Sequence, residues 1–180
     1  MKRRQISIEE AAIQLMRRLR GGALVTTKAG DKVNTMTIGW GSIGYEWSEA
    51  VFTAYIRVGR YTSELLKKNP EFTVNIPDDN TDKNILGYAG THSGRDEDKI
   101  KNLNLTLVEG EKISVPAIKE CPITLECRII QKELQDISTL AENLREKYYP
   151  QDVPSSATGS NKDIHIAFIG EILSAYILED

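Results

Sequence analysis

Four strand-forming runs follow one another within residues 23–77 with only one short helical run among them, and this spacing limits the fold more than any other feature. ALVTT, VNTMTIGW and EAVFTAYIRV are rich in β-branched and aromatic residues, and KAGDK between the first two supplies a turn. EFTVNIP is the fourth run, with Phe72, Val74 and Ile76 on one face. Parallel neighbours need long crossovers, usually helices, and TSELLKKNP is too brief and too isolated to supply a set of them. The pattern predicts a mainly β chain: an antiparallel barrel or sandwich with peripheral helices, and not a doubly wound parallel sheet.

The rest of the chain fits this frame. Ser7 with Glu10 reads as a capping box for SIEEAAIQLMRRLRGG, Leu15 and Leu19 extend an apolar face, and Gly21-Gly22 ends the helix. In TSELLKKNP, Thr62 is the expected cap, Lys67 and Lys68 suit the C-terminal dipole, and Pro70 ends the run. Helical turns are expected near 81–88 and 96–103, and a helix capped by Thr139 and Glu142 through about Lys147. PITLECRII alternates, with Ile123, Leu125, Cys127 and Ile129 opposite Thr124, Glu126 and Arg128, which predicts a half-buried antiparallel strand. YYPQDVPSSATGSNKD reads as a polar, mobile loop. HIAFIGEILSAYIL reads as a long strand with Ile164, Ile166, Phe168, Ile172, Tyr176 and Leu178 on one side. So apolar a side needs a cover, from a partner subunit or from the same barrel. With no repeat or linker, residues 1–180 read as a single domain.

Composition excludes several function classes. A net charge of −3 gives no bulk attraction to nucleic acid or an anionic membrane, so any anion site must be a local basic cluster. No apolar run approaches the ~20 residues of a spanning helix, and MKRRQISIEE lacks a signal-peptide core, so a cytoplasmic protein is expected. Cys121 and Cys127 read as reduced packing residues. Neither of the two histidines lies near a cysteine, and no metal site is expected.

Three stretches carry chemistry. In Arg57-Val58-Gly59-Arg60-Tyr61-Thr62, two guanidiniums meet a helix start, an arrangement that suits a phosphate. The plainer reading is two solvated arginines and a capping Thr62. Gly90-Thr91-His92-Ser93-Gly94-Arg95-Asp96, with Lys99 beyond it, offers a second polar wall or simply a loop in which Ser93 caps a helix. No nucleophile or carboxylate pair accompanies His92, so hydrolysis is not indicated and no residue is assigned as catalytic. NTMTIGWGSIGYEW interrupts a strand pattern with Gly39, Gly41 and Gly44. Either a hairpin or barrel corner is forced there, with Trp40 in the core, or backbone N–H groups of 34–40 face a flat heteroaromatic that Gly39 and Gly41 allow to approach. GWGSIG is not a dinucleotide fingerprint.

NTMTIGWGSIGYEW, VFTAYIRVGRYTSELLKKNPEFTVNIP, GTHSGRDEDK and HIAFIGEI, in this order, resemble the flavin reductase-like family, particularly its flavoredoxin-like branch, over about residues 22–177. The resemblance implies an FMN-binding split β-barrel working as a homodimer. It implies ring contacts from Asn34, Thr35, Met36, Thr37, Ile38, Trp40 and Gly41. It implies phosphate contacts from Arg57, Arg60, Tyr61 and Thr62. His92, Ser93, Gly94, Arg95 and Lys99 match the second binding loop, and His165 and Phe168 the terminal strand. Members often carry serine where this chain has Gly59. The implied activity is hydride transfer from NADH or NADPH to flavin N5, then electron delivery to an acceptor. An electron carrier reduced by a redox partner protein is the alternative, and a non-catalytic small-molecule-binding or dimerisation barrel is a further one.

Overall fold

Residues 1–179 are described by a computed structural model. The strands are β1 (Lys2–Gln5), β2 (Ala23–Ala29), β3 (Lys32–Ile38), β4 (Gly41–Glu46), β5 (Glu49–Arg57), β6 (Glu71–Ile76), β7 (Leu107–Val108), β8 (Ala117–Ile118), β9 (Ile123–Leu134) and β10 (His165–Glu179). The helices are α1 (Ile8–Arg18), α2 (Tyr61–Lys68), α3 (Lys83–Thr91), α4 (Lys99–Asn102) and α5 (Glu142–Tyr148). The main sheet runs β3-β2-β6-β9-β10-β5-β4, and β1 pairs with the far end of β10. All of these pairings are antiparallel, as the spacing of the runs predicts.

One face of this sheet is apolar on almost every strand. Val25 of β2, Ile38 of β3, Phe52 of β5, Val74 of β6, Leu125 of β9 and Phe168 of β10 meet in a single buried cluster, and Ile43 of β4 packs on it. Strands from both ends of the order reach the same core only because the sheet curls into a barrel. Ala11 and Leu15 of α1 join that core, and Ser7 caps α1 by accepting from Glu10 N at 3.1 Å. Leu24, on the other face of β2, packs with Ile85 and Ala89, which seats α3 outside the barrel.

Several local expectations change. β9 is buried on both faces up to Cys127, not half-buried. The Glu126 carboxylate accepts from Glu111 N (2.7 Å), Lys112 N (2.6 Å) and the Tyr176 hydroxyl (2.7 Å), so the strand's polar face is covered by the segment leading to β8. The apolar residues of β10 do not share one side. Its register with β9 shifts at Ile169/Gly170, where β9 holds the extra residue, and again at Ile172/Ser174, where β10 does, and this second bulge reverses the alternation along β10. Phe168 and Ile172 face the core, whereas Tyr176 and Leu178 pack with Ala117 elsewhere.

The caps differ too. Arg60 holds the cap position of α2, and Thr62 lies in its first turn. Asp82 and Asp98 cap α3 and α4, while α5 follows Ala141, with Thr139 in a preceding 3-10 turn. Both cysteines are free and buried, and burial pushes the Cys121 thiol up to about 12. Among the described residues no helix is long and apolar enough to cross a membrane, and no group of His, Cys, Asp and Glu is placed to hold a metal.

Candidate functional site

α2 follows directly on β5, and His165 at the start of β10 stands opposite Arg57 in the ladder. This brings Arg57, Arg60 and His165 to one edge of the barrel beside β3, with α3 and the loop after it alongside. Two adjoining cavities open there, of about 380 Å³ and about 300 Å³, sharing Met36, Arg60 and Gly90. Each is within the size range of small-molecule sites, roughly 300–1,000 Å³.

The larger cavity is basic and rich in hydroxyls. Arg60, Tyr61, Thr62, Ser93, Arg95 and Lys99 all line it. Asn34 is buried and donates from Nδ2 to Thr62 Oγ1 at 3.1 Å, so the Thr62 hydroxyl is bound to β3 and does not cap α2. A Cβ on Gly94 would overlap that Asn34 amide, which explains the glycine in the wall. Ser93 Oγ accepts from Arg95 N at 3.2 Å. The Arg95 guanidinium pairs with Glu64, donates to Gly59 O at 3.1 Å and lies 5.6 Å from the centre of the Tyr61 ring. Lys99 is only 4% exposed, and its Nζ donates to Ala89 O (3.0 Å) and His92 O (3.1 Å). Burial lowers its pKa to about 8. His92 is exposed and stacks on Tyr88 with ring centres 3.8 Å apart. Glu97 accepts from the Tyr88 hydroxyl, and Asn102 donates to it at 2.8 Å, which braces the stack.

The smaller cavity has aromatic walls. Trp40 lies 4.8 Å from His165 and 5.1 Å from Tyr148, measured between ring centres. At 38% exposure Trp40 is a cleft wall, which rules out its placement in the core. Met36 and Thr37 line the floor, and Thr37 Oγ1 donates to Leu86 O at 2.6 Å. The Ile38 backbone lies at the cavity while its side chain enters the barrel core.

Three expected residues take other places, and a fourth, Arg57, lines the smaller cavity but turns its guanidinium to the backbone. Arg57 is 6% exposed and its guanidinium is spent on backbone carbonyls: Tyr148 O at 2.9 Å, Asn161 O at 3.2 Å, and Asp163 O. It ties down the loop between α5 and β10, which is held by these bonds and by Arg60 donating to Ala157 O at 3.3 Å, and is not the loose segment its composition suggests. Phe168 is in the barrel core because it lies three positions along β10 from His165, an odd offset that puts it on the opposite face. Thr35 points to the outer face, where its hydroxyl receives one from Thr26 at 3.1 Å. At Gly41 an added Cβ would lie 2.6 Å from Phe52 Cζ, so this glycine makes room for the core and not for a ligand. Gly59, likewise, is filled by its neighbour: a Cβ there would overlap the Asp163 carboxylate.

Tyr148, Ser155 and Ser160, which line the cleft from the end of α5 and the loop after it, are absent from the sequence expectations. Paired tyrosines before a polar stretch were the available signal, and no periodicity attaches such a stretch to a site.

The comparisons with known proteins fit this geometry. The model of the flavin reductase like domain matches residues 16–180. An uncharacterized protein of Archaeoglobus fulgidus is 40% identical over 102 residues, which span 57% of this chain and 56% of that one, so the match reaches little over half of either. The flavoredoxin of Desulfovibrio vulgaris (Miyazaki F) superposes with a TM-score of 0.65 at 25% identity, over 88% of this chain and 69% of that one. An FMN-binding domain of a flavin reductases-like enzyme from Shewanella baltica gives 0.66 at 17% identity, over 98% and 77%.

Proposed function

Because the chain belongs to the flavin reductase-like family, we propose that its cleft holds FMN and that the protein is an oxidoreductase of the NAD(P)H:flavin reductase type. One observation carries this reading: an aromatic-walled cavity opens directly into a basic, hydroxyl-rich one. A flat heteroaromatic suits the first, and a phosphate on a short polyol suits the second. Arg60 and Arg95 with Lys99 supply the positive charge, and Arg57 acts as the anchor of the covering loop. FMN, when bound, supplies the chemistry of accepting hydride from NADH or NADPH and passing electrons on. The protein's own residues orient and enclose. Trp40 and Tyr148 flank the ring space, and Thr37, bonded to Leu86 O, fixes β3 against α3.

A homodimer is part of the proposal, since the barrel leaves β3 and β4 at the open ends of the strand order. Sedimentation as a monomer alone at micromolar concentration would remove it. A reducing, cytoplasmic setting is supported by the two free, buried thiols.

The test is an absorbance spectrum of protein given FMN and freed of excess, then taken anaerobically with NADH or NADPH. A retained oxidised-flavin band that bleaches supports the reductase and identifies its donor. A retained band that persists favours the second reading, an electron carrier reduced by a protein partner, to which the flavoredoxin likeness gives weight. No retained band and no fluorescence change on FMN titration would sink both.

A further inference from the structure

A polar chain at the aromatic end of the cleft has no part in holding the ligand's phosphate or flanking its ring. The Tyr149 hydroxyl is buried between Gln135 Oε1 at 3.1 Å and His165 Nδ1 at 2.8 Å. A phenol has one proton to give. The Gln135 carbonyl oxygen only accepts, so the proton goes there. Tyr149 then presents a lone pair to His165, and Nδ1 must carry the hydrogen that fills it. The other ring nitrogen, Nε2, is left with a lone pair. It has no protein partner among the described residues, and it is not one of the buried polar atoms left without one. His165 lines the smaller cavity, so that lone pair opens into it.

We propose that Gln135 and Tyr149 are positioning residues that hold His165 in the Nδ1–H tautomer, so that Nε2 accepts a hydrogen bond from an N–H on the edge of a flat ligand. The identity of that ligand rests on the flavin reading, in which the imide is the N–H group that oxidised isoalloxazine offers. The backbone supports the arrangement: Gln135 N donates to His165 O at 3.0 Å, so the two ends of the relay are fixed to each other. The Tyr149 ring stands edge-on to His165 and carries the Arg57 guanidinium 5.1 Å from its centre. Burial and the charges of Arg57 and Arg60 lower the His165 pKa to about 3, so solvent protons do not take the lone pair at neutral pH.

The test reads the tautomer directly. Long-range proton–nitrogen NMR of the ligand-free, 15N-labelled protein reports both imidazoles, and His92→Asn assigns the two signals. Protonated Nδ1 and bare Nε2 at His165 are expected in the wild type. Gln135→Leu frees the phenol proton to turn toward Nδ1, so the tautomer should invert, and FMN should bind about tenfold more weakly. Gln135→Glu keeps an acceptor and should keep both the tautomer and the affinity. Tyr149→Phe should invert the tautomer as well, by removing the acceptor at Nδ1. An Nε2–H tautomer in the wild type, or an inverted tautomer with unchanged FMN affinity, would overturn the proposal. Absence of FMN uptake by the wild type would overturn the flavin reading alone, since the ligand-free spectrum decides the relay.

Discussion

Arg57 and Arg60 look equivalent in sequence and have different duties. Arg57 gives its guanidinium to three backbone carbonyls, a geometry that a lysine cannot reproduce with a single ammonium. Arg57→Lys should therefore cost about 1–3 kcal/mol in urea unfolding and speed tryptic cleavage after Lys162, as the loop loses its anchor. His165 gives a pH signature. Its folded pKa of about 3 lies below the ordinary 6.5, so the unfolded chain takes up a proton that the native one refuses. Stability is then lost as pH falls from 6.5 toward 3, by about 2 kcal/mol at pH 5, and His165→Asn should abolish that part of the slope. Residue types were legible at this scale: basic, hydroxyl and glycine clusters at 57–62 and 90–99 do form the cleft. Bonding was not, because a guanidinium binds a carbonyl or a phosphate equally well and only the fold decides which is within reach.

Elements were legible wherever periodicity or a cap spoke, as in α1 with Ser7, the β2–β3 turn and the runs that became β5 and β6. They were illegible where one residue breaks a rule. The β4–β5 hairpin turns on Trp47 and Ser48, with φ of 51° and 66°, where Asn-Gly is the usual chemistry. Nothing in GSIGYEW places that turn at Trp47-Ser48, so a forced hairpin is one reading of the glycines but β4 itself goes unassigned between the runs that became β3 and β5. The pair stores strain, and Trp47→Asn with Ser48→Gly should raise the unfolding free energy by about 1–2 kcal/mol in urea titrations. The bulge of β10 at Leu173 was hidden for a similar reason: an added residue reverses the alternation without changing composition.

At the scale of the whole molecule, the antiparallel, mainly β character followed from the missing crossovers, but the strand order did not, since neighbours such as β5 and β10 are far apart in sequence. Glu126 shows how distant parts are fastened. Its buried carboxylate joins β9, β10 and the segment before β8 through three donors. Glu126→Ala should strand those donors and lower the urea midpoint by the equivalent of about 3 kcal/mol. The place of β10 has a further consequence, for synthesis. Among the described residues it follows every other strand, yet it lies between β5 and β9. On the ribosome β5 is made first and waits for residues 165–179, roughly 5–20 s at ordinary translation rates. Throughout that interval β5 carries an unsatisfied edge, and β9 adds a second one once residues 123–134 have been made. A stalled nascent chain is therefore this protein's most adhesive form, and the arrival of β10 ends the hazard.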